Sequence, residues 1–115
     1  MKYMILIYNS EASDKAMTQQ EVGKQMEAYG AYSQAMVKAG VMVGGERLKP
    51  TDTATIVRTK HGRTEVLNGP YADTREQLGG YYMIDVPDLD AAITWAARCP
   101  SSSTGTIEVR PIWAM

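Results

Sequence analysis

The chain has 115 residues, enough for one domain, and its 44% hydrophobic and 22% charged residues are typical of a globular protein, not a disordered or coiled-coil one. Twelve Lys and Arg against 13 Asp and Glu give a net charge of −1, which argues against nucleic acid as the main partner because phosphate binding needs a basic field. No apolar run approaches the roughly 18 residues that cross a membrane, so we expect a cytoplasmic protein with no membrane partner.

The first predicted elements are a strand, a loop and a long helix. Residues 2–8 are apolar on both faces, as in a strand buried on two sides, and the polar residues 9–15 are interpreted as a loop. Thr18-Gln19-Gln20-Glu21 is a capping box, and the helix that it begins ends at Gly40. The residues that recur at helical spacing predict the inner face of this helix: Val22, Met26, Tyr29, Ser33, Met36 and Val37.

A strand and a hairpin follow. Residues 41–48 predict the strand, which Gly44-Gly45 interrupts and Pro50 ends. The β-rich runs 53–60 and 63–67 are joined by His61-Gly62, where Gly62 is free to adopt a positive φ. Two such runs with a two-residue turn predict a β-hairpin.

The last third of the chain predicts a strand, a helix and a strand. Residues 78–86 form the first of these strands, Asp88 caps the helix, and Pro100 ends it. Residues 106–112 form the last strand. The apolar residues at helical spacing predict the inner stripe of this second helix: Leu89, Ala92, Ile93, Ala96 and Ala97.

The order of elements predicts an α+β fold in which residues 1–115 form a single domain. Without the inserted hairpin the order is βαββαβ, the ferredoxin-like arrangement. Two helices cover one face of such a sheet and leave its other face bare. Because a sheet that is apolar on both faces needs a second layer, we expect a homodimer packed sheet against sheet.

The residue types exclude several kinds of catalytic site. One cysteine, Cys99, excludes an intramolecular disulfide and a cysteine-cluster metal site. One histidine, His61, excludes a histidine-rich zinc site, and it would have to be the base of any Ser-His-Asp triad. His61 is interpreted as a solvated residue of the hairpin turn, so we expect no metal and no cofactor. The pairs Gly44-Gly45 and Gly79-Gly80 lack the spacing of a phosphate-binding loop.

Polar residues of the last strand are the main candidates for ligand binding. Glu108 and Arg110 alternate with apolar neighbours and are expected on the bare face of the sheet. A buried Arg110 needs an anionic or hydrogen-bonding partner, which could be Glu108, Glu76 or a ligand. Asp73 and Glu76 would lie on one side of a helical turn, with Glu76 the better candidate for a function.

A pocket in the dimer is therefore expected between the sheet and its partner. The turn Asn68-Gly69-Pro70-Tyr71 either shapes this pocket, by aiming Tyr71 inward, or serves only as a turn. The predicted ligand-binding residues are Tyr71, Glu76, Tyr81, Glu108 and Arg110.

Three segments carry a resemblance to a known family. Residues 1–8, 68–82 and 108–111 together resemble the YCII-related family, in its DGPF-signature branch. The resemblance covers nearly the whole chain, and its middle and closing segments are the specific ones. It implies a ferredoxin-like fold that dimerises as an α/β barrel, in agreement with the order of elements.

The chain also departs from the family pattern at two points. Asn68 stands where the signature has aspartate, and an amide cannot act as a general base. The first long helix contains no histidine, whereas the wider family is associated with a histidine in this helix that is proposed as catalytic. Catalytic roles proposed for relatives therefore do not transfer to this chain.

The resemblance leaves three functions open. The first is an uncharacterised protein that binds a small polar molecule in a cavity at the dimeric sheet face. The second is a cofactor-independent enzyme of the isomerase, lyase or dehalogenase type. The third is a regulatory partner of an extracytoplasmic-function sigma factor, because members of the branch resemble genomic companions of such factors.

Overall fold

All the predicted strands and both long helices are present in the computed structural model, which describes residues 1–115. The strands are β1 (Lys2–Asn9), β2 (Met42–Arg47), β3 (Thr55–Lys60), β4 (Arg63–Asn68), β5 (Gln77–Asp85) and β6 (Thr106–Pro111). The α-helices are α1 (Glu11–Lys15), α2 (Gln19–Lys38) and α3 (Leu89–Arg98), and short 3₁₀ turns lie at Thr51–Thr53 and Pro100–Ser103. None of these helices is long and apolar enough to span a membrane.

Four strands form one antiparallel sheet in the order β2-β5-β1-β6. With the hairpin left out, the central strands are the first and third of the βαββαβ unit, as in the ferredoxin-like fold. Strands β3 and β4 pair only with each other and form a separate two-stranded sheet. The predicted α+β ferredoxin-like fold with an inserted hairpin is therefore confirmed.

Side-chain alternation in β1 divides the sheet into a helix-covered face and a bare face. Tyr3, Ile5 and Ile7 are buried beneath the helices, and Ile5 has no exposed surface. The residues between them point to the other face of the sheet, which no element covers, and we call this the uncovered sheet face. Its residues are Met4, Leu6 and Tyr8 of β1, Tyr81 and Met83 of β5, and Glu108 and Arg110 of β6.

Local signals end the elements where the sequence predicts. The Thr18 hydroxyl accepts from the Glu21 amide at 3.1 Å, while the Glu21 carboxylate accepts from the Thr18 amide at 3.2 Å, so the predicted capping box is confirmed. Gly40 follows α2 with a φ of 73°, the left-handed conformation that ends many helices. His61 and Gly62 have φ values of 51° and 76°, which is the type I′ turn that fits the twist of a hairpin.

The prediction of a loop at residues 9–15 is wrong in part. Five of these residues form the one-turn helix α1, which Ser10 caps by accepting from the Ser13 amide at 3.2 Å. No apolar residue repeats at helical spacing within so short a segment, so periodicity does not detect it.

The predicted inner faces of the two long helices are also only partly correct. Val37 of α2 is exposed, whereas Tyr32, absent from the predicted face, is buried. The Tyr32 hydroxyl donates to the Trp95 carbonyl of α3 at 2.7 Å, so contact with the second helix determines which side of α2 is buried. In α3 only Ala92 and Ala96 of the predicted stripe are buried; Leu89, Ile93 and Ala97 are exposed.

The hairpin projects from the rest of the domain. The radius of gyration is 16.2 Å, whereas a compact chain of this length has about 13 Å. Val57, Val66 and Leu67 of the hairpin are exposed. The hairpin thus presents apolar side chains that nothing in the same chain covers.

Candidate functional site

A cavity of about 760 Å³ lies between α2 and the helix-covered face of the sheet. Ligand-binding cavities commonly measure roughly 300–1,000 Å³, so this volume accommodates a small organic molecule. The cavity opens between the N-terminal half of α2, the strands β2 and β5, and the segment around α1. It lies on the opposite side of the sheet from the uncovered sheet face.

Two glycines lie in the sheet beneath α2, where β2 and β5 approach each other closely. Gly80 lies opposite Ile7 of β1 and Arg47 of β2, on the helix-covered face, and Gly45 lines the same cavity. A Cβ would lie 2.7 Å from the Tyr82 ring at Gly45 and 2.9 Å from the Glu46 carbonyl oxygen at Gly80, so both positions favour glycine where the two strands approach each other. The predicted inner residues Val22 and Met26 line the cavity and do not pack into the core, with 37% and 61% of their surface exposed.

Hydroxyl groups form the inner end of the cavity. The Ser33 and Tyr82 hydroxyls are hydrogen-bonded at 2.9 Å. The Tyr29 hydroxyl is hydrogen-bonded to Ser101, which also accepts from the Asn9 amide at 3.1 Å. Burial raises the pKa of Tyr29 well above its usual range. A tyrosine hydroxyl is protonated at neutral pH even without this shift, so it can donate or accept a hydrogen bond.

Charged side chains surround the cavity mouth. Lys15, Arg47 and Lys49 contribute positive charge from three different segments. The Glu11 carboxylate accepts from the backbone amide and the hydroxyl of Thr51, each at 2.8 Å. The cavity thus combines apolar, hydroxyl and charged groups, which allows it to orient a ligand of mixed character.

On the uncovered sheet face, Glu108 and Arg110 form an ion pair with 3.0 Å between Oε2 and Nη2. Of the three partners left open for Arg110, the structure therefore contains Glu108. The hydrogen bond from Arg110 lowers the pKa of Glu108. The Arg110 side chain is 67% exposed and that of Glu108 is 40% exposed in the single chain.

Tyr8 joins this pair and was missed by the sequence analysis. Its hydroxyl donates to Glu108 Oε1 at 3.3 Å. Burial and the Glu108 charge raise the pKa of Tyr8, and Tyr71 makes a smaller contribution in the same direction. Alternation along β1 could have placed Tyr8 on this face, but only strand pairing brings it beside β6.

The remaining predicted site residues are more dispersed. Glu76 accepts from the Thr106 hydroxyl at 2.7 Å, whereas Tyr71 is 77% exposed. Tyr81 pairs with Leu6 on the uncovered sheet face and also borders the cavity. The structure thus brings Glu108 and Arg110 together with Tyr8. Tyr81 lies on β5 and is separated from Glu108 by the strand β1.

Two further sequence expectations concern turns. The helical turn suggested for Asp73 and Glu76 is wrong, because this segment consists of bends in which the Thr74 hydroxyl donates to the Glu76 carbonyl at 2.7 Å. His61 lies exposed at the hairpin tip, as predicted.

No group of three or more His, Cys, Asp and Glu side chains is arranged to hold a metal ion.

Comparison with known proteins gives two matches. A family model described as the YCII-related domain matches residues 1–115. An uncharacterised protein of Rhizobium meliloti (strain 1021) is 39% identical over 114 residues, which covers 97% of this chain and 92% of the relative. The family model thus spans the whole domain, and the relative spans nearly all of it.

Proposed function

The chain belongs to the YCII-related family, and we propose that within this family it binds a small polar organic molecule in the cavity between α2 and the sheet. The observation that carries the proposal is the 760 Å³ volume, with an apolar wall and hydroxyl groups at its inner end. The sequence alone predicts binding at the dimeric sheet face. The open cavity of about 760 Å³ beneath α2 instead favours the helix-covered side.

The cavity lining supports a ligand with both apolar and polar parts. Val22 and Met26 offer apolar surface that is not covered in the single chain, and burying it against a ligand would be favourable by about 25 cal/mol per Å². Tyr29, Ser33 and Tyr82 offer hydroxyls, which hydrogen-bond either as donors or as acceptors. A purely apolar ligand would leave these hydroxyls without additional partners.

Binding can be tested with a neutral probe, 1-naphthamide, in an NMR titration of the ¹⁵N-labelled protein. We expect chemical-shift changes at Val22, Met26 and Tyr82 and not at the uncovered sheet face. The variant Val22→Trp fills the cavity and should weaken binding at least about tenfold. Val37→Trp is the matched control, because Val37 is an exposed residue of the same helix outside the cavity.

The titration also has results that would contradict the proposal. If the shifts map to Tyr8, Leu6 and Met83, the probe binds at the uncovered sheet face, as the sequence analysis expected. If Val22→Trp and Val37→Trp bind the probe equally well, the cavity is not the binding site.

The predicted binding residues on the uncovered sheet face remain a prediction, as do the enzymatic and sigma-factor alternatives. No contact in the structure favours isomerase, lyase or dehalogenase chemistry over binding. Assignment to the DGPF-signature branch is likewise a prediction from the resemblance alone.

We also propose that a second copy of the chain covers the uncovered sheet face. Met4, Leu6, Tyr81 and Met83 form an apolar surface there, and the hairpin adds exposed apolar residues. The same face carries the ion pair of Glu108 and Arg110. In two copies related by a twofold axis, Arg110 of one copy can lie opposite Glu108 of the other. Obligate interfaces of this kind commonly bury about 2,000 Å² or more.

Sedimentation equilibrium at micromolar concentration tests the homodimer. We expect a dimer for the unmodified chain and a monomer for Leu6→Glu, because that substitution would bury a second carboxylate beside Glu108 in the interface. Val37→Glu places the same charge on exposed α2 and should remain dimeric. A compact monomer of the unmodified chain would contradict this proposal without affecting the cavity.

A further inference from the structure

We propose that the ligand of the cavity is a small organic anion and that Arg47 binds its charged group. The inference rests on the proposed function, since it requires that the cavity is the binding site. It goes further by assigning the chemical class of the ligand and the residue that selects it.

Arg47 is placed to reach a bound ligand. It is the last residue of β2 and lies opposite Gly80, whose other neighbour in the sheet is the buried Ile7. This register puts the Arg47 side chain on the helix-covered face of the sheet. Arg47 lines the cavity together with Val22 and Met26 of the helix above.

Arg47 has no anionic partner within the chain. The ion pairs of the structure are those of the N-terminal amine with Asp85 and of Arg110 with Glu108. The Arg47 guanidinium therefore retains its full set of donors. A guanidinium binds carboxylate or phosphate oxygens through two parallel hydrogen bonds, so it can recognise either kind of anion.

The other charges around the cavity mouth reinforce this preference. Lys15 and Lys49 also line the cavity and form no ion pair. Three carboxylates border the same volume: Glu11, Asp14 and Glu46. Both Glu11 oxygens already accept from Thr51, and Glu46 pairs opposite Tyr81, whose side chain lies on the uncovered sheet face.

Because Glu46 is directed to the opposite face, two carboxylates, Glu11 and Asp14, lie at the cavity together with three cations that form no ion pair. The mouth of the cavity consequently has an excess of positive charge, although the chain as a whole has a net charge of −1. A local positive field of this kind favours an anionic ligand. The apolar wall formed by Val22 and Met26 favours an organic anion over an inorganic one.

The test uses three probes that share one aromatic body: 1-naphthoate, 1-naphthyl phosphate and the neutral 1-naphthamide. Each is titrated into the ¹⁵N-labelled full chain. We expect the anions to bind about tenfold more tightly than the amide, since charge-assisted hydrogen bonds are the stronger ones. The order of naphthoate and naphthyl phosphate then identifies whether the site selects a carboxylate or a phosphate.

Arg47→Gln should reduce anion binding toward the level of naphthamide while leaving naphthamide binding unchanged. Arg58→Gln is the matched control, because Arg58 is an exposed arginine of the hairpin outside the cavity. If only Arg47→Gln weakens binding of the anions, the effect is local to the cavity. If Arg58→Gln weakens it equally, the effect is a general response to the lost positive charge. Raising the salt concentration should weaken binding of the anions and not of the amide.

The outcomes separate this inference from the proposed function. Equal affinity for naphthamide and naphthoate at the cavity residues would refute anion selection and leave cavity binding intact. Unchanged naphthoate affinity in Arg47→Gln would refute the role of Arg47. Failure of all three probes to bind would refute both proposals.

Discussion

Adding one methyl group at each of two neighbouring glycines should have opposite effects on stability. A Cβ built on Gly45 would lie 2.7 Å from Tyr82 Cδ1 and 2.8 Å from the Tyr81 carbonyl oxygen, whereas a Cβ on Gly44 meets nothing within 4 Å. Neither glycine has a positive φ, so alanine is compatible with the backbone at both positions. The comparison therefore isolates the close approach of β2 to β5 at the floor of the cavity.

The magnitudes follow from these contacts. Overpacking against backbone and ring atoms costs about 1–3 kcal/mol, so Gly45→Ala should lower the free energy of unfolding by that amount. Gly44→Ala removes freedom from the unfolded chain and should raise it by about 0.4–1 kcal/mol. For a chain of this size 1 kcal/mol corresponds to about 4 °C in Tm. The two variants should thus differ in Tm by at least about 6 °C.

Thermal melts at one fixed protein concentration measure this difference, because the Tm of a dimer depends on concentration. The NMR spectrum gives a second measurement. If Gly45→Ala displaces the Tyr82 ring, the hydrogen bond between Tyr82 and Ser33 is disturbed and naphthamide binding changes with it. Equal Tm values for Gly44→Ala and Gly45→Ala would show that β2 and β5 are not so closely packed and would refute the reasoning.

Three further predictions concern single charged or titratable residues and metal removal. His61→Ala at the exposed hairpin tip should change the free energy of unfolding by no more than about 0.5 kcal/mol, while Arg110→Ala should lower the dimer fraction in sedimentation. If His61→Ala proves the more harmful substitution, the faces of the strands are misassigned. Because the pKa of Glu108 is lowered in the folded chain, its stabilising contribution is present above the ordinary glutamate pKa and is lost as pH falls through the lowered value. Urea melts between neutral and acid pH measure this contribution. The free energy of unfolding should fall less with decreasing pH in Glu108→Gln than in the hairpin control Glu65→Gln. Dialysis against EDTA should leave the Tm unchanged, and a sharp fall would indicate a metal site.

Much of the fold could be predicted because its signals are local. The capping box at Thr18, Gly40 after α2 and the His61-Gly62 turn each depend on a few adjacent residues, and each was placed correctly. Alternation in β6 likewise placed Glu108 and Arg110 on the bare face of the sheet. A period of two or 3.6 residues is visible in one sequence, since neighbouring side chains of one element share a face for geometric reasons.

The cavity could not be predicted in this way. Gly44-Gly45 and Gly79-Gly80 were compared with a phosphate-binding loop, whereas their structural effect arises from pairing between strands more than 30 residues apart. The N-terminal half of α2 has a regular apolar face, yet Val22 and Met26 line a cavity because little beneath them fills the space. A helix pattern shows which residues point inward but not how far away the opposite surface lies.

The amino-acid sequence by itself determined the order of the strands and of the two long helices, their ends and the faces of the strands, because these depend on backbone geometry within each element. Tertiary structure alone decided that Gly80 lies beside Arg47, that Tyr8 reaches Glu108 and that Tyr32 is buried against α3. Each of these contacts joins residues distant in the chain, and their register depends on how the whole sheet and both helices pack together. The volume left between α2 and the sheet is a property of that packing and of no single segment.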